Sequence, residues 1–406
     1  MATTFAIILP FLRSAAIASG VVGVVGLFAV CGNRGFLAHT PIGWLHQALL
    51  SLGLRVGTCL CQNRAVKAVS HYVFESPNPL LQLVWAGLVG GGYLLFLRDI
   101  YPHLGPDLLP THVWLSHLLV AGTFGTFYLV CASDPGVVDQ RRVAEHAASY
   151  PFDGLLYKPK KCDTCLIDRP ARAKHCRICN QCVARFDHHC PWINGCVGER
   201  NVRWFLLFLF ATAFICLYEA WLSYRLCTHA YDAIAADYAQ RVRHHNRSTG
   251  SSYSTAMPGQ YALGALMRDF GLAVPLGLFC FLMGLVVLAF ACYHGYLVVR
   301  NTTTNETFKW SDVHDWLASV SRRRQRRAQV LARRAVAPIR TASNEKKDAA
   351  GDNDDGDDDS DSEVDKIEIP TETQMRNLYN GGLKHNFAEV LFPPSLYPRV
   401  NTKKHK

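Results

Sequence analysis

Five stretches of this chain are apolar for close to twenty residues or more: Phe5–Cys31, Pro79–Leu97, Thr111–Ala132, Trp204–Cys227 and Leu272–Val299. A helix of about 20 apolar residues crosses the hydrocarbon core of a bilayer. The 406 residues would suffice for two or three ordinary domains. The uneven spread of hydrophobicity decides against that and for a polytopic all-α membrane protein with about five transmembrane helices. The first run is broken by Arg13 but has no clean cleavage motif, so it reads as an anchor rather than a cleaved signal.

The loops set the orientation. Residues 33–78 carry Arg34, Arg55, Arg64 and Lys67 and almost no acid, which predicts a cytosolic loop after an N-terminal span at 1–32. Residues 79–132 hold the second and third spans and stop at the turn signal Asp134-Pro135-Gly136. Residues 133–203 are rich in Lys and Arg and read as a small cytosolic domain. Residues 204–299 hold the last two spans, joined by a predicted lumenal loop at 228–271 with a glycosylation sequon at Asn246. The tail, 300–406, combines an Arg-rich segment at Ser321–Arg340, which either lies on anionic lipid or is a solvated helix, with an acidic, core-less stretch at Asp348–Asp365. No internal repeat is apparent, and nothing reads as a Rossmann or P-loop unit. The net charge of +10 points to phosphate-bearing partners, but a positive-inside membrane protein explains much of it.

Of 15 cysteines, seven lie between Cys162 and Cys196. Tight clustering favours metal over a disulfide framework and a reducing, cytosolic setting. The segment runs Cys162-x2-Cys165, His175-Cys176-x2-Cys179-x2-Cys182, His188-His189-Cys190 and Cys196, which makes ten candidate ligands with three histidines. A closed structural zinc site takes four ligands. Two such sites use eight and leave two; if both sites are Cys3His, the remainder is one Cys and one His, the minimal thiolate–imidazole nucleophile. Asp187 would orient the histidine if the remaining pair is His188 and Cys190. Spacing alone does not say which two remain. A nucleic-acid-binding zinc module would use every ligand structurally, but a cluster tied to the bilayer at both ends speaks against nucleic acid as a partner.

These residues, with Arg169-Pro170, Arg172, Pro191-Trp192, Gly198, Asn201 and Phe205, resemble the cysteine-rich domain of the DHHC protein S-acyltransferases. Asp134-Pro135-Gly136, Thr303-Thr304-Asn305-Glu306 and Asn386 resemble further elements of that family. The resemblance implies two interleaved zinc sites, Cys162, Cys165, His175 and Cys182, and Cys176, Cys179, His189 and Cys196. It implies Cys190 as the acylated nucleophile, His188 as its base and Asp187 as the group that orients His188. It further implies long-chain acyl-CoA as donor and cysteine-containing membrane proteins as acceptors. Arg169, Arg172 and Lys174 are then candidates for the CoA phosphates, and Trp192 for the mouth of an acyl cavity among the spans. The extra N-terminal span and Lys403-Lys404-His405-Lys406 point to the endoplasmic-reticulum membrane, with Golgi or another endomembrane as alternatives. Gly195 departs from the family, which often carries Asn there; the departure is expected to cost a loop hydrogen bond, with Asn194 beside it as a partial replacement. The rival functions are a zinc-stabilised membrane scaffold and a transporter with a cytosolic zinc domain. The second lacks the paired charges that transporters carry within their spans.

Overall fold

A computed structural model describes residues 64–104, 109–336, 367–371 and 375–396. The predicted first span, the thiols Cys59 and Cys61, the acidic stretch and the terminal lysines lie outside the described residues. Among the described residues, four helices are long and apolar enough to cross a membrane. They are α1 (Leu80–Asp99), α2 (Leu109–Ala132), α3 (Val202–Thr249) and α4 (Ala273–Val299). Leu83, Leu94, Trp114, Leu118, Phe214 and Leu278 point outward from them. Such an apolar exterior suits lipid rather than water.

The third of these helices departs from expectation. The predicted loop at 228–271 is helix up to Thr249, because no Gly or Pro interrupts Val202–Thr249. Its 48 residues rise about 72 Å at 1.5 Å each, more than twice a hydrocarbon core. Gly250 ends it in the left-handed region at φ 71°, its N–H donating to Asn246 O at 3.0 Å. A short helix, Gly259–Asp269, then leads into α4. The last two spans pack closely through glycine: a Cβ on Gly277 would sit 2.5 Å from the Ser223 side chain, and one on Gly284 2.8 Å from Leu217.

Between α2 and α3 lie three small antiparallel hairpins. β2 (Lys160–Cys162) pairs with β3 (Ile167–Arg169), β4 (Lys174–Cys176) with β5 (Gln181–Val183), and β6 (His188–Cys190) with β7 (Gly195–Val197). A two-residue strand, β1 (Val137–Val138), extends the middle hairpin on its β5 edge. Asp134 launches it: Oδ1 accepts the N–H groups of Gly136 and Val137, both at 2.9 Å. Gly198 closes the third hairpin where no side chain fits. A Cβ there would meet Pro135 O at 2.5 Å and Val183 Cγ1 at 2.6 Å.

After α4 the chain turns into α5 (Thr304–Val336), which carries the predicted Arg-rich segment as far as its end. A returning segment ends in α6 (Leu383–Leu391). Its inner face is polar. Asn386 Nδ2 donates to Val299 O and Asn380 Oδ1, each at 2.7 Å, and its Oδ1 accepts Gly381 N–H at 3.1 Å. Asn386 thereby caps the last turn of α4 and ties the tail to the membrane boundary. Asn386→Ala removes the three hydrogen bonds of a fully buried side chain, and is expected to destabilise the protein by about 1–3 kcal/mol. A thermal melt in detergent reads this as a lowered midpoint.

Candidate active site and metal centres

Two closed ligand sets emerge from the hairpins. Cys162, Cys165, His175 and Cys182 form one, and Cys176, Cys179, His189 and Cys196 the other; the ligand atoms of each lie within 4.8 Å of one another. Each set joins a Cys-x2-Cys turn to a cross-strand pair, His175 opposite Cys182 and His189 opposite Cys196. The His175 Nδ1 to Sγ distances are 3.6, 3.3 and 3.9 Å, and those of His189 are 3.7, 3.3 and 3.8 Å. Tetrahedral zinc with ordinary Zn–S and Zn–N bonds spaces N and S about 3.6 Å apart. Three sulfurs and one imidazole at that spacing fit zinc in both places. Two zinc ions per chain are therefore expected by elemental analysis. A strong chelator should release them, abolish activity and open residues 156–200 to protease, because the hairpins have little other core. Chelation that leaves this segment protected would contradict a structural role.

The two sets are one pattern repeated. Each ligand of the first recurs fourteen residues on in the second: Cys162 and Cys176, Cys165 and Cys179, His175 and His189, Cys182 and Cys196. The hairpin registers shift by the same step, Cys162 opposite Ile167, Cys176 opposite Gln181 and Cys190 opposite Gly195. So do the left-handed turn residues Leu166, Asn180 and Asn194. The sequence therefore does hold an internal repeat, in three copies, against expectation. It is hidden because the copies interleave and share little beyond ligands and turns.

The Asp-His-His-Cys run is sorted by strand geometry. Along β6 successive side chains alternate faces, so His189 points to the metal set and His188 and Cys190 share the other face. His188 Nδ1 meets Asp187 Oδ2 at 2.6 Å. Asp187 Oδ1 in turn accepts the Thr304 N–H at 2.7 Å, from the first turn of α5. Burial opposes ionisation of Asp187, yet these two bonds hold its pKa below the ordinary carboxylate value. Burial likewise opposes a charge on His188, but hydrogen bonds to Asp187 and Cys190 outweigh it and raise its pKa to about 9. The imidazole is thus disposed to hold a proton beside the thiol.

Cys190 is 7% exposed and packs in one apolar cluster with Trp85 of α1, Val130 of α2, Phe205, Phe208 and Leu209 of α3, and Ala291 of α4. All four described spans contribute to the cluster that holds this thiol. Phe205 stands edge-on to His188, with ring centres 5.3 Å apart. His294, buried on α4, packs against both His188 and Phe205, at 5.7 and 5.2 Å. Sequence reading passed over His294, which lies over a hundred residues away inside an apolar run. Asn194 does make a loop hydrogen bond: its Oδ1 accepts Asn78 N–H at 3.0 Å, tying the third hairpin to the entry of α1.

Arg172 is not where the phosphate expectation put it. It is 0% exposed, between the rings of Tyr150 and Tyr379 at 4.9 and 4.4 Å. Nε and Nη2 donate to the two Glu306 oxygens, both at 2.7 Å, and Nη1 donates to Asn301 Oδ1 at 3.0 Å. Its donors are spent on the chain itself, so it cannot reach a soluble headgroup. Glu306, last of Thr303-Thr304-Asn305-Glu306, is the missed partner; burial opposes its charge, and Arg172 keeps it ionised. Of the other two bases, exposed Lys174 donates to Asn305 Oδ1 at 2.8 Å, and half-buried Arg169 has an unpartnered Nε. Trp192 is 43% exposed beside Cys190.

Comparison with known proteins agrees with this geometry. The family model described as DHHC palmitoyltransferase matches residues 156–311. Palmitoyltransferase swf1 of Schizosaccharomyces pombe is 30% identical over 362 residues, covering 89% of this chain and 87% of that protein. The chain belongs to the DHHC palmitoyltransferases. Among other members, palmitoyltransferase ZDHHC4 of Mus musculus is 33% identical over 270 residues, 63% of this chain and 74% of its own. Palmitoyltransferase SWF1 of Neurospora crassa is 31% identical over 325 residues, 73% and 71% of the two chains. As a DHHC palmitoyltransferase the protein is a multi-pass membrane enzyme, which sets aside the scaffold reading.

Proposed function

We propose that this enzyme moves a long-chain acyl group, palmitoyl in the first instance, from acyl-CoA to cysteine thiols of membrane-associated proteins through a thioester on Cys190. One observation carries the reading: Cys190 stands outside both four-ligand sets, beside the His188–Asp187 pair, and in a cluster to which all four described spans contribute.

In the first step His188 takes the Cys190 proton and the thiolate attacks the acyl-CoA carbonyl. A new C–S bond forms to Cys190, the bond to CoA breaks, and the departing sulfur takes the proton from His188. In the second step a substrate thiol gives its proton to His188 and attacks the acyl-Cys190 carbonyl. Cys190 leaves as thiolate and recovers that proton. Asp187 holds the imidazole in orientation throughout. Zinc, when bound, supplies the fold of the hairpins and no chemistry.

Placement follows from the reagents. The acyl chain belongs among the spans, whose side chains form the apolar cluster around Cys190. Trp192 remains the candidate for the mouth of that acyl site. Arg169 and Lys174 remain the bases offered to the CoA phosphates. The compartment proposed is the endoplasmic-reticulum membrane with the active site cytosolic, supported by the basic Lys403-Lys404-His405-Lys406.

Purified enzyme given radiolabelled palmitoyl-CoA and a cysteine-bearing membrane-protein acceptor should label both proteins. Neutral hydroxylamine should strip the label, as it does a thioester. Label that resists hydroxylamine, or that reaches the acceptor without ever appearing on the enzyme, would overturn the two-step scheme.

A further inference from the structure

Counting ligands shows that one thiol of seven is left over; it does not explain why that thiol is Cys190. The hairpin repeat does. β6–β7 is the third copy, and in it Cys190 holds the place that Cys162 and Cys176 hold in the first two, the first thiol of a Cys-x2-Cys turn. In the earlier copies that sulfur faces the N–H of the second cysteine: Cys165 N lies 3.5 Å from Cys162 Sγ, and Cys179 N lies 3.5 Å from Cys176 Sγ. In the third copy the second place is Ile193. The remaining two ligand places, filled by His175 and Cys182 and then by His189 and Cys196, fall at Arg203 and Phe210 on α3.

We propose that Cys190 is a zinc-turn position released for chemistry, and that Ile193 is the positioning residue that keeps metal off it. This rests on Cys190 being the nucleophile, as proposed above. Two thiols three residues apart hold one ion together, and the second bond forms at high effective concentration. A single thiol has no such advantage. Ile193 replaces the second donor with an apolar side chain that is 3% exposed and shares one apolar cluster with Cys190, Val197 and Phe205. Its carbonyl accepts the Gln82 Nε2 hydrogen at 3.1 Å, which pins the turn to α1. The apolar side chain at Ile193 thus denies the turn its two-sulfur chelate and joins the apolar cluster that links the thiol to the membrane spans.

The test restores the missing sulfur. In Ile193→Cys the new thiol, Cys190 and His188 offer three ligands and an open fourth place, an arrangement zinc accepts. Ile193→Ser is the matched control: similar in size, equally disruptive to packing, and without a metal-binding sulfur. Both full-length variants are purified under reductant and equilibrated with zinc, then assayed for bound metal and for self-acylation with labelled palmitoyl-CoA. The expected result is three zinc ions per chain in Ile193→Cys against two in Ile193→Ser and in the unaltered protein. Added zinc should abolish self-acylation of Ile193→Cys and spare Ile193→Ser, and a mild chelator that removes only the third ion should return the former to the level of the latter. Two ions in Ile193→Cys, or equal zinc sensitivity in both variants, overturns the proposal. If instead the unaltered protein carries no acyl group on Cys190, it is the reading of the nucleophile that fails, a separate result.

Discussion

Cys190→Ser is expected to abolish both self-acylation and transfer, by on the order of 10⁴-fold or more, the scale seen when a nucleophile is removed from a catalytic pair. A serine hydroxyl at this place is a far weaker nucleophile than a thiolate, and the pair is built around sulfur: His188 and Cys190 share one face of β6, and Asp187 fixes the ring. The same variant should retain two zinc ions and an ordinary thermal melt, because Cys190 belongs to neither ligand set. Loss of activity with loss of a zinc ion would instead make Cys190 a ligand. Together the two readouts separate chemistry from folding.

Arg172→Met is expected to cost about 3–5 kcal/mol of stability, since it leaves the Glu306 carboxylate buried without its partner. The consequence reaches the active site. Glu306 Oε2 accepts the Thr303 N–H at 2.9 Å, and the next residue, Thr304, donates to Asp187. Arg172 therefore holds the turn that holds Asp187. A detergent-solubilised melt should fall steeply, and the protein that remains folded should show a lower kcat with little change in KM for acyl-CoA. The double variant Arg172→Met with Glu306→Met removes both charges and should regain part of the lost stability. If Arg172 served CoA instead, the single variant would raise KM and leave the melt alone.

The sequence made the metal chemistry unusually legible, for a physical reason. Zinc ligands are few residue types at short spacings, so ten candidates against two closed tetrahedra bound the site, and the family resemblance supplied the assignment that counting left open. Hydrophobic length likewise located the four spans that the structure describes. What stayed hidden depended on contacts between distant segments. Arg172 looks like any surface base until Glu306, Asn301 and two tyrosines close around it. His294 reads as one polar residue in an apolar run until α4 packs it beside His188. The loop expected after Cys227 failed on a local signal that was present: no Gly or Pro stops the helix before Gly250. The fourteen-residue step was also present, but interleaving disguised it.

The most direct test is to locate the acyl group. Purified enzyme is incubated briefly with palmitoyl-CoA and no acceptor, digested, and its peptides weighed before and after neutral hydroxylamine. The account predicts one palmitoyl mass on the peptide bearing Cys190, removed by hydroxylamine, with Cys162, Cys165, Cys176, Cys179, Cys182 and Cys196 unmodified. A palmitoyl group on one of those six while Cys190 stays bare would contradict it.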